Sequence, residues 1–320
     1  MDIENPLREW CLSKDIGYTS NSTKLLGPKH IKHLFFFTWE RLVLEDIDTI
    51  QISLSSMGAR ALIFTNTKIS VSRWPNLEVV FLPELYGAFY LGADNLEHRD
   101  ERLFSCLMRR ADTVRQSWFY ELHSHELLDK GFVSYLSINP SWNDPEDHVS
   151  GFDHIHHQWD MGTLDRYQAA WQYLRGMLPY QNFSEEHDLD SCHDRCKYSI
   201  VLSTHNDYQG TYWFNEKEAR ALQSASIVLP SLHPKVIGFL DEIGLKLIFD
   251  QHAYMDLSWW QRQEKVLDLV KNDRLDVDLD VRNQTREHNR ALFLEWSQHM
   301  SSGKLLQRMI DLVNQFGDRE

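Results

Sequence analysis

Leu103-Phe104-Ser105-Cys106-Leu107-Met108, then Val114, Trp118 and Leu122, then Phe132-Val133-Ser134-Tyr135-Leu136-Ser137, is the stretch that decides the fold. Two short apolar runs of strand type enclose a segment whose apolar residues recur at helical spacing, with Asp112 where an N-cap would stand. That is a βαβ unit, in which a crossover helix joins two parallel strands. Upstream, the same strand signature recurs at His33 to Trp39, Ala61 to Thr65 and Glu78 to Leu82. Downstream, residues 139–162 carry Pro140, Pro145, Gly151 and several Asp, which reads as a long loop and places a domain boundary there. The alternation then restarts: a helix over Leu164 to Leu178, a strand Tyr198 to Ser203, a helix Glu216 to Ala225 and a strand Ser226 to Leu229. A helix Pro234 to Ile243 ended by Gly244, a strand Leu245 to Phe249, and helices over Ser258 to Lys271, Thr285 to Met300 and Lys304 to Phe316 complete the chain. The pattern predicts an α/β protein of two Rossmann-like lobes, 1–145 and 146–320, facing a cleft and ending in helices. Sheets of this kind bind ligands at the carboxyl ends of their strands.

The composition is consistent with that architecture. At 320 residues, 42% apolar and 25% charged, the chain has room for two domains that each bury a core. A formal net charge of −14 argues against broad electrostatic attachment to nucleic acid or anionic membrane, and leaves a local basic cleft open. The N-terminal MDIENPLREW lacks the basic and apolar regions of a secretory signal, and no apolar run approaches the roughly 20 residues of a membrane span. Four cysteines, at 11, 106, 192 and 196, make no disulfide framework and suit a reduced compartment. The expectation is a soluble protein of the cytoplasm, in a bacterial cell or an infected host. No G-x-S-x-G elbow, Walker A sequence or G-x-G-x-x-G fingerprint occurs, which argues against serine hydrolase, P-loop and dinucleotide readings.

Asn215-Glu216-Lys217-Glu218-Ala219-Arg220-Ala221-Leu222 precedes Ser226-Ile227-Val228-Leu229-Pro230, and Gly238-Phe239-Leu240 precedes Ile243-Gly244-Leu245-Lys246. This order resembles the donor-binding half of GT-B glycosyltransferases of the α-1,3-fucosyltransferase-like kind, and of related viral and bacterial sugar transferases. In those enzymes a Glu-Lys pair opens a helix before a buried strand. Cys106-Leu107-Met108-Arg109-Arg110, Arg115, and Leu127-Leu128-Asp129-Lys130-Gly131 are similar to a second segment of the same enzymes. The resemblance spans about residues 103 to 271. Two positions depart from the pattern: Glu218 stands where a small or hydroxyl residue is usual, and Pro230-Ser231-Leu232-His233 replaces a Gly-containing turn. Those departures bear on donor choice and on activity itself.

The residues support the same chemistry. With Asn215 as N-cap, Lys217 falls in a first helical turn, where free N–H groups and the helix dipole favour an anion such as a diphosphate leaving group. Glu216 would accept hydrogen bonds from ribose hydroxyls, the role the resemblance implies. The plain alternative is a capping-box-like start in which Glu216 and Glu218 complement the dipole and Lys217 is solvated. Arg109 and Arg115, from the one tight arginine group, could clamp phosphates bidentately or simply carry surface charge. Glu84, at the end of a strand, and Asp153 and His154, in the interlobe loop, are the candidates for a general base. The loop 153–160 holds three histidines and two aspartates, which suits a divalent metal, an acceptor site or a polar linker equally in residue type. His187, Cys192, His193 and Cys196 offer four zinc-type ligands, although C-x3-C is not the spacing of zinc knuckles.

The resulting expectation is an inverting, metal-independent glycosyltransferase that needs no cofactor. It would move a sugar from a nucleotide-sugar donor, held by the C-terminal lobe, to a hydroxyl of a glycan or of a hydroxymethylated base in phage DNA. The rival reading is a non-enzymatic binding protein with Rossmann-like lobes and a structural zinc at the cysteine–histidine cluster.

Overall fold

The computed structural model describes residues 3–23, 32–37, 42–69, 73–89, 98–108, 113–135, 175–177, 179–183, 189–202, 211–213, 216–229, 235–254, 256–257 and 259–317. Two largely parallel sheets organise them. The first runs β1 (Gly17–Ser20), β2 (Lys32–Phe37), β3 (Arg60–Thr65) and β5 (Leu77–Phe81), all parallel, with a short β4 (Lys68–Ile69) between the last two in sequence. Its central strands read as unbroken apolar runs because both faces are covered. Leu34, Phe36, Leu62 and Phe64 pack under helix α1 (Glu4–Ser13) and the C-terminal helix α9 (Lys304–Gly317). Phe35, Phe37, Ala61 and Ile63 pack on the opposite face under α2 (Leu44–Met57), which ends at Gly58 with φ 62°, a left-handed turn that favours glycine.

The second sheet has the order β11 (Ile227–Leu229), β9 (Cys196–Ile200), β6 (Arg102–Met108), β7 (Gly131–Tyr135) and β8 (Tyr180–Gln181). All are parallel except the edge strand β8. One face packs on α3 (Thr113–Ser124) and α7 (Trp259–Asn272) through Phe104, Cys106, Met108, Trp118, Phe119 and Val266. On the other face Phe132 and Cys196 pack with Cys192 of the short helix α4 (Leu189–Asp194). The remaining elements are β10 (Thr211–Tyr212), α5 (Glu216–Leu222), α6 (Lys235–Glu242) and α8 (Leu279–Ser301). Among the described residues no helix is long and apolar enough to cross a membrane.

The expected α/β class, with two Rossmann-like lobes and a helical C-terminus, is observed. The division between the sheets differs from the predicted one. Strands β6 and β7 pair with β9 and β8, so the sheets part between β5 and β6 and not at 145/146. The parallel pairing of Phe104 with Tyr198 decides this, a contact between residues 94 apart that local pattern does not report. Helix α9 likewise belongs physically to the first lobe, where Leu305, Met309 and Phe316 enter the core beside Leu7 and Tyr18. Leu245 to Phe249 is not a strand: the Asn289 side chain of α8 accepts from Lys246 N (2.8 Å) and donates to Lys246 O (2.9 Å), so a side chain takes the place of a ladder partner. The helix predicted over 164–178 lies outside the described residues apart from a 3-10 turn at Arg175–Met177.

The lobes meet in an aromatic core. Tyr86, from the 3-10 turn Pro83–Phe89, packs with Phe239 of α6 and with Phe293 and Trp296 of α8. Strand β10 pairs antiparallel with β4, and Lys68 forms an ion pair with Glu242. The turn approaches α8 so closely that a Cβ at Gly87 would stand 2.5 Å from Ser297 N and 2.6 Å from the Trp296 carbonyl carbon. Gly87→Ala is expected to destabilise the protein by about 1–3 kcal/mol in denaturant unfolding. Gly238→Ala, in a helix with open space around the new methyl, is expected to stabilise it by about 0.5–1 kcal/mol.

Candidate functional site

The order of the second sheet reverses direction at its centre. From β6 the chain crosses through α3 to β7 on one side, and from β9 it proceeds by way of α5 to β11 on the other. β6 and β9 are therefore the neighbours at which an open α/β sheet leaves a crevice beyond its carboxyl ends. Helices that connect parallel strands run back across the sheet, so the N-termini of α3 and α5 stand at that edge.

Two of the cations singled out in the sequence lie near those helix starts. Arg115, buried near the start of α3, and Lys217, half-buried in the first turn of α5, both act on the Cys106 thiol of β6. Burial pushes that thiol up to about 12, and the charges of Lys217 and then Arg115 pull against it. Glu216 is exposed beside Lys217, whereas Glu218 is buried and therefore not part of a solvated helix start. Helix α5 is anchored through Ala219 and Leu222 in the interlobe core, which fixes the two residues relative to the first sheet as well as the second.

Behind these cations lies a buried polar cluster. His193 Nδ1 is 3.0 Å from Ser105 Oγ and 2.9 Å from Ser199 Oγ. Ser226 Oγ lies 2.5 Å from Ser199 Oγ and 2.6 Å from Ser224 Oγ, so hydroxyls link β6, β9 and the start of β11. Burial, then the charges of Arg220 and Lys217, push the His193 pKa down to about 3 and hold the ring neutral. Arg220 escaped the sequence reading. Its signal was present, since it stands three residues after Lys217 and helical residues at that spacing share a face.

Other predicted residues are placed differently. Glu84 forms an ion pair with Arg308 of α9, so this base candidate serves as a tie between the 3-10 turn and the C-terminal helix. Cys192, His193 and Cys196 are all buried but do not assemble as zinc ligands. The Cys196 thiol, pushed up to about 12 by burial, donates to Tyr198 O at 2.9 Å, and the His193 ring nitrogen faces the serines. Among the described residues no group of three or more His, Cys, Asp or Glu side chains could hold a metal ion. Arg109, Asn215, Asp153, His154 and His187 lie outside the described residues.

No protein-family model and no curated protein matches the chain. Among solved structures it is similar to a mutant of the T4 phage protein BGT in complex with UDP-glucose, at 9% identity and a TM-score of 0.36, with 89% of this chain and 81% of that chain covered.

The depressed pKa of His193 has a consequence for stability. An unfolded histidine binds a proton below about pH 6.5, whereas folded His193 does so only near pH 3, so the unfolded state holds more protons between those values. Stability contributed by the neutral ring is complete above pH 6.5 and is lost as pH falls toward 3. Chemical denaturation of the wild type is expected to show a fall of roughly 3 kcal/mol between pH 6.5 and 4. In His193→Gln the pH dependence across that interval should flatten, even where the variant is less stable overall.

Proposed function

We propose that the protein is a glycosyltransferase that moves a sugar from a nucleotide-sugar donor to a hydroxyl acceptor. The observation that carries the reading is that Arg115 and Lys217 lie near the starts of α3 and α5, the helices that leave β6 and β9 at the point where the second sheet reverses, and that the charges of both reach Cys106 of β6. A diphosphate leaving group gains charge as the glycosidic bond breaks, and cations held in a partly desolvated crevice stabilise that charge without reorganising. The resemblance of residues 103 to 271 to GT-B donor lobes supports the same assignment. Arg109 and Asn215 flank this position in sequence, and Glu216, exposed beside Lys217, suits the ribose hydroxyls.

In this reaction the acceptor hydroxyl oxygen attacks the anomeric carbon and the bond from that carbon to the diphosphate oxygen breaks. The hydroxyl proton passes to a general base while Lys217 and Arg115 hold the departing diphosphate. A single displacement inverts the anomeric centre and uses only protein cations. Asp153 and His154 are the base candidates in this scheme, because Glu84 is engaged with Arg308. The acceptor is a glycan hydroxyl or a hydroxymethylated base, the latter requiring a local basic approach on a chain of net charge −14.

The test is thermal unfolding against UDP, GDP, CMP and dTDP with and without their sugars, since a ligand that binds the folded state raises the midpoint. One nucleotide family should raise it in the wild type and fail to do so in Lys217→Ala. With the matching sugar nucleotide, transfer by that variant should drop on the order of 100-fold or more. No shift with any nucleotide would overturn the reading.

A further inference from the structure

Helix α7 carries a cation that the reading above does not use. Arg262 lies in the first turn of this 14-residue helix and is 4% exposed. Helical side chains lean toward the N-terminus, and here Nη2 donates to Leu257 O (3.1 Å), before the helix begins. Nε and Nη1 are buried with no hydrogen-bond partner among the described residues. Desolvation is the cause that lowers its pKa, to about 10, and no carboxylate among the described residues offsets it. A buried guanidinium left in this state is costly to the fold, because its donors have given up water and received nothing in return.

The position supplies a reason. At its far end α7 is followed by Asp273, which accepts hydrogen bonds from Lys197 (2.6 Å) and from the Tyr198 hydroxyl (2.7 Å), near the start of β9. Near its first turn Gln263 donates to Ser117 Oγ of α3 (3.1 Å), two residues from Arg115. The helix therefore runs against the strands, and its N-terminus stands at the carboxyl edge of the second sheet, where free N–H groups and the dipole favour an anion. Leu257 O takes one hydrogen of Nη2; the other shares an edge of the guanidinium with Nε–H or with Nη1–H, and such an edge matches the paired oxygens of a tetrahedral oxyanion.

We propose that Arg262 and the N-terminal turn of α7 bind a phosphoryl group. The site stands on Arg262 alone; only the identification of that group with the diphosphate of a sugar donor rests on the proposed function.

Inorganic phosphate, inorganic pyrophosphate and the four nucleotides are the probes, applied to the wild type, Arg262→Met and Arg262→Lys in thermal unfolding. Pyrophosphate should raise the wild-type midpoint by several degrees at millimolar concentration. Arg262→Met, which replaces an unpartnered buried charge by an apolar chain of similar length, should melt higher than the wild type without anion and lose the pyrophosphate shift. Arg262→Lys, a point charge without the fork, should keep only part of that shift, and it carries the test should the Met variant fail to fold. The proposal is overturned if neither inorganic anion shifts the wild type, if Arg262→Met responds to pyrophosphate as the wild type does, or if that variant folds but melts several degrees lower without anion. A pyrophosphate shift that depends on Arg262, with no nucleotide shift, sustains this site and removes the donor reading. A nucleotide shift lost in Lys217→Ala but intact in Arg262→Met sustains the donor reading and overturns the identification of the group at Arg262 with the donor diphosphate.

Discussion

Helix α8 braces both sheets, and the placement of the candidate site depends on how it is held. Near its start Arg282 donates to both oxygens of Asp100 (2.8 and 3.0 Å) and to Ala225 O (2.7 Å), joining the approach to β6 and the approach to β11. Burial raises the Asp100 pKa, and the hydrogen bonds of His98 and Arg282 outweigh it and hold the carboxyl well below its ordinary range. Charge-assisted pairs of this kind are directional and fix orientation as well as energy. Midway, Asn289 donates to Leu222 O (2.8 Å) at the end of α5 and bonds both backbone groups of Lys246. Further along, Phe293 and Trp296 enter the interlobe core, and the backbone beyond them meets Gly87. A single rigid element thus sets α5 against the first lobe and the second at once.

That bracing has an electrostatic counterpart. The chain as a whole is strongly acidic, yet Arg115, Lys217 and Arg262 lie near the starts of three helices that begin at the carboxyl edge of the second sheet. Cations placed there add to the helix dipoles, and partial burial removes the water that would screen them. The opposing group is a neutral one, His193, whose ring is kept uncharged and absorbed into hydroxyl contacts.

Much of the architecture was legible in the chain. Strands β2, β3, β6 and β7 are apolar runs, and they read as such because burial on both faces removes the need for polar alternation, while the half-buried edge strand β5 is marked by Val79, Val80 and Phe81. Helix α3 announced itself through Trp118 and Leu122, and α6 through its glycine stop, where Gly244 adopts φ 87°. Helices α1 and α2 went unread although their buried residues, Leu7 and Cys11 in α1 and Leu44, Ile47, Ile50 and Leu54 in α2, stand at helical spacing. At the site, Lys217 and Arg115 were visible as cations near helix starts, while Arg262 sits among polar neighbours in a sequence that gives no sign of its burial.

Local pattern is written in the spacing of apolar residues, and that spacing was enough for the fold class and for two of the cations near helix starts. Pairing between distant segments is not written there. Whether β6 joined the first sheet or the second, whether Leu245 to Phe249 found a strand partner or the Asn289 side chain, and whether Glu84 faced a substrate or Arg308 depended on which surfaces met after folding. Those outcomes follow from packing and hydrogen-bond satisfaction between residues tens to hundreds of positions apart, where sequence neighbours carry no information about the contact.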